Sequence, residues 1–228
     1  LNSSPRLESS DMLTIQLFGA PQLAFDGQQV DVTRRKSRAL LYYLASQTTP
    51  LVRDQLLAFF WPDLERAAAQ TALRSTLHGL RKACGPALLA TDNTISLAAD
   101  TVVDVREFER GLASPPSDPQ RLAALLELYR GEFLAGFTLP DVEAFEHWMT
   151  TERERLRRLA LRGFAQLAQA YSDQGAYANA LDAIERAVAL DPLQESLHRT
   201  AMRLLYLAGD RAGAIRRFEQ LRNMLDEE

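Results

Sequence analysis

The feature that most constrains the fold of this chain is an internal repeat with a period of 34 residues in its last third. A shift of 34 residues superposes identical side chains at four positions, namely Gly175 on Gly209, Ala178 on Ala212, Ala180 on Ala214 and Glu185 on Glu219. A unit of this length is a pair of helices that cannot bury its apolar face alone. Consecutive units must therefore stack on one another, which predicts a helical-repeat architecture.

The residue types within the repeat narrow this prediction further. The first unit follows the tetratricopeptide pattern, with small residues where paired helices approach and large ones between them, at Phe164, Leu167, Ala168, Tyr171, Ala180, Ile184, Ala187 and Pro192. The second unit keeps Ala214 and Phe218 and is a looser match. Apolar residues at three- and four-residue spacing predict helices over residues 120–133, 141–158, 159–174, 177–190, 193–208 and 211–225.

The first part of the chain has a different pattern. Alternating residues and an Asp26-Gly27 turn predict strands between residues 13 and 32. Thr33 is expected to cap a helix reaching about residue 47, and further helices are predicted near residues 54–61 and 65–84. Extended segments at 87–90 and 94–97 then predict a hairpin around residues 91–93. Three strands, three helices and a hairpin occur in this order in a winged helix-turn-helix.

The whole chain is thus expected to be mainly α with a small β component. We predict a winged helix-turn-helix domain at residues 13–105, with a strand sheet, three helices and a hairpin wing, and an all-α tetratricopeptide-like repeat domain at residues 106–228. Residues 1–12 are expected to be a disordered leader or an artificial extension, since they are polar and begin with Leu1. The second domain is expected to be truncated at its C-terminus.

Composition argues against most catalytic classes. Cys84 is the only cysteine, and His78, His147 and His198 have no partner at the spacing of metal ligands. The chain has two lysines, Lys36 and Lys82, and neither follows a glycine, so no phosphate-binding GxxxxGK[ST] loop occurs. We therefore expect a protein without enzymatic activity, metal or cofactor. The longest apolar run has seven residues, which predicts no membrane span and favours a cytoplasmic protein.

The helix predicted at residues 65–84 is the most informative segment. At about 100° per residue, one arc is apolar and consists of Ala69, Leu73, Thr76, Leu77, Leu80 and Cys84. The opposite arc has no acidic residue and carries Gln70, Thr71, Arg74, Ser75, His78, Arg81 and Lys82. Such groups can meet base edges and phosphates in a major groove, although a merely solvated helix face would have the same composition.

A second basic cluster begins the first helix and comprises Arg34, Arg35, Lys36 and Arg38. Exposed amides at a helix N-terminus would add to these cations in holding a phosphate. Winged-helix order places the third helix in the major groove, where we expect base contacts from Gln70, Thr71, Arg74, Ser75 and His78. Phosphate contacts are then expected from the basic cluster, Arg81 and Lys82, and wing contacts from Thr91, Asn93 and Thr94.

Several stretches resemble one family. The first half is similar to the winged-helix domain of the Streptomyces antibiotic regulatory protein (SARP) family at Leu17-Phe18-Gly19, Arg35-Lys36 and Trp61-Pro62-Asp63. The second half resembles that family's bacterial transcriptional activator domain at Val103-Asp104-Val105, Tyr129-Arg130-Gly131-Glu132-Phe133-Leu134 and Leu190-Asp191-Pro192. The sequence departs from the family where Ala83-Cys84-Gly85 replaces the usual Leu-Gly after the basic pair.

The resemblance implies a sequence-specific transcriptional activator. Its third helix and wing would bind double-stranded promoter DNA, and its repeat domain would serve dimer contacts on DNA or contacts with RNA polymerase. It would then be found in the cytoplasm with the nucleoid. The alternative is a helical-repeat interaction module whose winged helix does not bind DNA specifically.

Overall fold

The structure is a computed structural model that describes residues 12–226, so the leader predicted at residues 1–12 lies almost wholly outside the described residues. In chain order the strands are β1 (Leu13–Gln16), β2 (Gln22–Phe25), β3 (Gln28–Gln29), β4 (Leu51–Val52), β5 (Leu88–Ala90), β6 (Thr94–Leu97) and β7 (Val102–Val103). The helices are α1 (Arg35–Ala45), α2 (Arg53–Phe60), α3 (Arg66–Cys84), α4 (Asp104–Ala113), α5 (Pro119–Leu126), α6 (Glu143–Asp173), α7 (Tyr177–Leu190), α8 (Glu195–Leu207) and α9 (Arg211–Asp226). The predicted fold class, a winged helix followed by a helical domain, is confirmed.

The strands form two small sheets. The first has the order β3-β2-β1-β7, in which β1 pairs antiparallel with β2 and parallel with β7. The second has the order β4-β6-β5 and contains the predicted hairpin, with Ala90 opposite Ile95. Sequence reasoning missed β4 and β7, because strands of two residues leave too short an alternation to detect.

The described chain packs as two compact units that interleave along the sequence. The first contains the residues up to Glu109 together with Arg130–Arg153, and the second contains Arg110–Tyr129 and the residues from Glu154 onward. Helices α4 and α6 contribute residues to both units. The domain border at residues 105 and 106 stays a prediction, because compact packing units and domains of one chain need not coincide.

An aromatic cluster explains why residues 130–153 belong to the first unit. The ring centroids of Tyr42 and Phe137 lie 5.1 Å apart, and those of Tyr43 and Trp148 lie 4.8 Å apart. Phe145 is fully buried and lies 5.9 Å from Phe60. Rings at these separations attract one another beyond the apolar area that they bury. The aromatic residues of 133–148 therefore complete the core of α1 and α2.

The backbone makes the same connection. The amide of Leu134 donates to the carbonyl of Leu17 at 2.8 Å, and the amide of Gly19 donates to the carbonyl of Glu132 at 3.0 Å. A Cβ at Gly131 would lie 3.3 Å from the Cα of Gly19, so the two glycines allow the segments to approach closely. The end of the helix predicted over residues 120–133 was wrong. Helix α5 stops at Leu126, and residues 132–134 pair with the segment that follows β1.

Two further helix predictions need correction. The helices expected at residues 141–158 and 159–174 are one continuous helix, α6, of 31 residues. Residues 155–162 include no glycine, proline or capping side chain, so nothing interrupts the backbone hydrogen bonds of the helix at the expected break. Thr33 does not cap the first helix, which begins at Arg35 with Arg34 at the N-cap position and no side-chain cap bond.

The second unit carries the repeat. Small and β-branched residues on α7 are buried, among them Ala180, Ala183, Ile184 and Ala187. Helix α8 buries Leu197, His198, Ala201 and Leu204. Burial of these alanines agrees with the small residues predicted for the first repeat. The equivalent positions of the second repeat differ, because Ile215 and Phe218 on α9 are exposed.

Candidate nucleic-acid interface

Helix α3 has the two faces predicted from its sequence. The buried residues of this helix are Ala69, Leu73, Thr76, Leu77, Leu80 and Cys84, which are the members of the apolar arc. On the opposite arc Thr71, Arg74, Ser75, His78, Arg81 and Lys82 are exposed, and Gln70 is half-buried. The helix therefore presents a continuous polar and cationic face of about three and a half turns.

The electrostatics of this face favour an anion. The helix has no acidic residue in its first turn and ends with Arg81 and Lys82 in its last turn. Arg74, Arg81 and Lys82 form no ion pair with any described residue, so their charges are not neutralised by the protein. Exposed, unpaired cations on one helix face attract phosphate over the range that salt screening permits.

The structure brings the basic cluster of α1 next to this face. The Arg34 guanidinium donates a 3.2 Å hydrogen bond from Nη1 to Oγ of Ser75 on α3. A groove of about 380 Å³ lies here, and its lining includes Arg34, Ser75, His78 and Lys82. Arg35 is exposed at the start of α1. Two clusters separated by about 40 residues in sequence thus form one surface.

Lys36 and Arg38 do not take part in this surface. The Lys36 ammonium donates to the carbonyl of Phe60 at 3.2 Å and lies 5.5 Å from the ring centre of Trp61. The Arg38 guanidinium lies 5.5 Å from the ring centre of Phe137, and its Nε is buried. Both side chains are half-buried, whereas Arg34 and Arg35 are exposed, so these two are the more accessible members of the predicted set of four. Phosphate binding by the four cations stays a prediction.

The wing is a short, internally bonded turn. Thr91 and Thr94 hydroxyls lie 3.0 Å apart, and the Thr91 Oγ1 also accepts from the amide of Thr94 at 3.0 Å. These bonds hold the turn but occupy both hydroxyls, so neither threonine has its full bonding capacity free. Asn93 is exposed at the tip and is the wing residue best placed to meet a partner.

Sequence reasoning missed Arg53, which attaches the wing to α2. Its amide donates to the carbonyl of Asn93 at 2.9 Å, and its Nε donates to the carbonyl of Thr91 at 2.8 Å. Strand β4 precedes it and pairs with β6, so α2 begins at the base of the wing. Because β4 has only two residues, the sequence offered no signal for this contact.

A second groove, of about 540 Å³, lies between α2, α3 and the wing. Its polar lining includes Arg53, Asp54, Arg66, Gln70, Arg74, Asp92 and Asn93. Arg66 is paired with Asp54 at 2.9 Å, so its charge is partly neutralised, whereas Arg74 remains unpaired. The groove thus joins a predicted base-contacting residue, Arg74, to the predicted wing residue Asn93.

Metal-ligating and nucleophilic side chains are the other groups to consider in residues 12–226. No cluster of three or more histidine, cysteine or acidic side chains able to hold a metal occurs in residues 12–226. Cys84 is buried, and burial raises the pKa of its thiol to about 12. His198 is also buried and hydrogen-bonded to Pro192 and Arg217. In the same described range no helix is long and apolar enough to cross a membrane.

Comparison with known proteins agrees with this architecture. The bacterial transcriptional activator domain family matches residues 103–228. The structure is similar to that of Mycobacterium tuberculosis EmbR in complex with a low affinity phosphopeptide, with a TM-score of 0.70 and 21% sequence identity. The similarity covers 95% of this chain and 60% of the EmbR chain, so this chain spans less than two thirds of the length of that chain. A search of curated proteins gave no match. The resemblance to SARP-type transcriptional regulators is confirmed.

Proposed function

The chain belongs to the bacterial transcriptional activator domain family, and on that premise we propose that it is an activator that binds promoter DNA sequence-specifically. The observation that carries this proposal is the acid-free outer face of α3, joined to the start of α1 by the hydrogen bond from Arg34 to Ser75. Family and fold are those of transcriptional regulators, and we propose no enzymatic activity.

In the proposed complex α3 enters the major groove. The long, forked Arg74 side chain and the His78 imidazole offer donors to base-edge acceptors, and Gln70, Thr71 and Ser75 offer shorter polar groups along the same face. Arg74 is the strongest candidate for base contact, because it is exposed and unpaired and lies in the groove that reaches the wing. A guanidinium binding a guanine edge bidentately is the commonest specific contact of this kind.

Phosphates would be held by cations beside this helix and at its end. Arg34 and Arg35 supply cations at the start of α1, and Arg81 and Lys82 supply them at the end of α3. The amide groups at the α1 N-terminus have no acidic residue in the first turn to compete with a phosphate. Asn93 of the wing would reach the neighbouring backbone. These contacts fix the register of the protein on DNA but carry no sequence information.

The repeat helices would serve a different purpose. Stacked helix pairs present an extended surface to another protein, and we propose that this unit supports a homodimer on DNA or contacts with RNA polymerase. The protein would act in the cytoplasm, associated with the nucleoid.

The decisive experiment is the selection of bound fragments from genomic DNA, repeated at several salt concentrations. A sequence motif whose affinity falls steeply with salt supports the proposal, because neutralised phosphates release counterions. The matched control is Arg222→Gln, which removes an exposed arginine of α9 outside the proposed interface. A different result would support the alternative of an interaction module without specific DNA binding. In that case the protein would bind random DNA only, and the Arg74→Gln variant would bind it as tightly as the wild type.

A further inference from the structure

The second compact unit contains a groove that the proposed DNA interface does not use. It has a volume of about 350 Å³ and lies between α6 and α8, with Ile184 of α7 also in its lining. Both walls belong to the repeat helices, so the groove is built by the stacking that the 34-residue period encodes. Its size is at the lower end of the range typical of ligand sites, roughly 300–1,000 Å³.

The charge of this groove is one-sided. Its lining has two arginines, Arg162 on α6 and Arg203 on α8, and no acidic side chain. Both arginines are exposed, and neither forms an ion pair or a side-chain hydrogen bond with any of residues 12–226. The guanidinium groups on opposite walls are therefore open to an external carboxylate.

Three other arginines of the same unit are neutralised. Arg157 pairs with Glu154 at 2.9 Å, Arg217 pairs with Glu185 at 2.8 Å, and Arg186 pairs with Glu127. These three arginines thus have internal partners, whereas Arg162 and Arg203 do not. The difference indicates that the groove arginines are not needed to hold the unit together.

The rest of the lining suits a peptide. Half-buried Leu161 supplies apolar surface, the largely buried Leu197 and Leu204 form the floor, and Ala165 and Ala168 are small residues of the α6 wall. Gln194 and Thr200 add groups that can bond to a peptide backbone. Double-stranded DNA would instead require an exposed, continuous stripe of cations, because its phosphates follow one another at regular spacing along both strands.

We propose that this groove binds an acidic peptide segment of a partner protein, with carboxylates on Arg162 and Arg203 and an apolar side chain against the leucines. Arginine and carboxylate make charge-assisted, often bidentate hydrogen bonds. The inference deepens the proposed function, since it gives the chemistry of the partner that the repeat unit would recruit. Only the place of that partner in transcription rests on the proposed function, because the peptide contact itself does not involve DNA.

The test uses the full 228-residue chain without DNA. The probes are fluorescein-labelled short peptides of mixed Asp, Glu, Leu and Phe composition, each paired with a version in which Asn and Gln replace the acids. Binding is followed by fluorescence anisotropy. We expect the acidic peptides to bind and their neutral versions to bind at least about tenfold more weakly, because each lost charged hydrogen bond contributes on that order.

The variants locate the site. Arg162→Gln and Arg203→Gln should each weaken peptide binding about tenfold, whereas the matched control Arg222→Gln should bind as the wild type does. All three arginines are exposed, and thermal unfolding by circular dichroism checks that the variants fold. The proposal is overturned if no acidic peptide binds, if the control loses as much affinity, or if a random duplex competes with the peptide for the two arginines.

Failure here and failure of the proposed function are distinguishable. Peptide binding without specific DNA binding would overturn the activator proposal and keep the groove. Specific DNA binding without peptide binding would overturn the peptide proposal and keep the activator proposal.

Discussion

Asp104 and Arg130 form an ion pair of 2.9 Å in which the carboxylate is buried and the guanidinium is partly exposed. The same carboxylate accepts hydrogen bonds from the amides of Leu17, Phe18 and Val105. It therefore joins the end of the first strand, the start of α4 and the segment that follows α5. Burial raises the pKa of this carboxyl, and its four donors oppose that rise.

Removal of this carboxylate should destabilise the first unit strongly. Asp104→Ala leaves three amides and a guanidinium without their acceptor, and breaking such buried pairs costs about 3–5 kcal/mol. Urea unfolding measures the loss. The control is Arg121→Ala, which breaks an exposed pair with Asp118 and should cost under about 0.5 kcal/mol. Similar losses for the two variants would contradict the structural role of Asp104.

The aromatic residues after α5 should be required for folding of the winged helix. A fragment ending at residue 105 lacks Phe133, Phe137, Phe145 and Trp148, so we expect it to show no cooperative urea transition. In the whole chain Phe145→Ala should cost about 3–5 kcal/mol, because the ring is fully buried. Cooperative unfolding of the short fragment, together with DNA binding like that of the whole chain, would show that these rings are dispensable.

Arg74 and His78 should determine sequence preference. Arg74→Ala and His78→Ala are each expected to weaken binding at particular base positions by roughly 1–3 kcal/mol. Competition between variant operator sequences measures the effect. Leu77→Ala should instead lower the melting temperature, since Leu77 is buried on the opposite face. An equal loss of affinity for cognate and random DNA would refute base contacts by Arg74 and His78.

Arg34 and Arg35 should contribute to the salt dependence of DNA binding. Their double replacement by Gln should make the slope of log affinity against log salt shallower by about 0.9 for each lost phosphate contact. Lys36→Met provides the comparison, because the Lys36 ammonium is bonded to the carbonyl of Phe60 and should leave the slope unchanged. A change of slope for Lys36→Met but not for the double variant would reverse our assignment of the two groups.

Cys84 should be unreactive in the folded protein. Its thiol is buried with a pKa of about 12, so alkylation by iodoacetamide should require denaturant. The thiol ionises near pH 9 when exposed and near pH 12 when folded, so the unfolded state gains stability as pH rises through that interval. In Cys84→Ala this part of the alkaline loss of stability should disappear. Rapid labelling without denaturant would contradict the buried position.

The sequence alone determined the features that depend on local periodicity. The inner and outer arcs of α3, the hairpin of β5 and β6 and the small residues of the 34-residue repeat all follow from residue types at fixed spacing. Period and turn chemistry decide such features because the hydrogen bonds involved join residues close in sequence.

Only the tertiary structure decided which segments meet. Residues 133–148 belong to the second of the two domains predicted from the sequence, yet their rings complete the core of α1 and α2. Lys36 and Arg38 lie in a run of four cations but turn inward, whereas Arg34 reaches Ser75 on α3. Residue types alone do not reveal which partner an apolar or charged side chain will contact. Hydrophobic and electrostatic attraction depend on distance in space and not on distance along the chain.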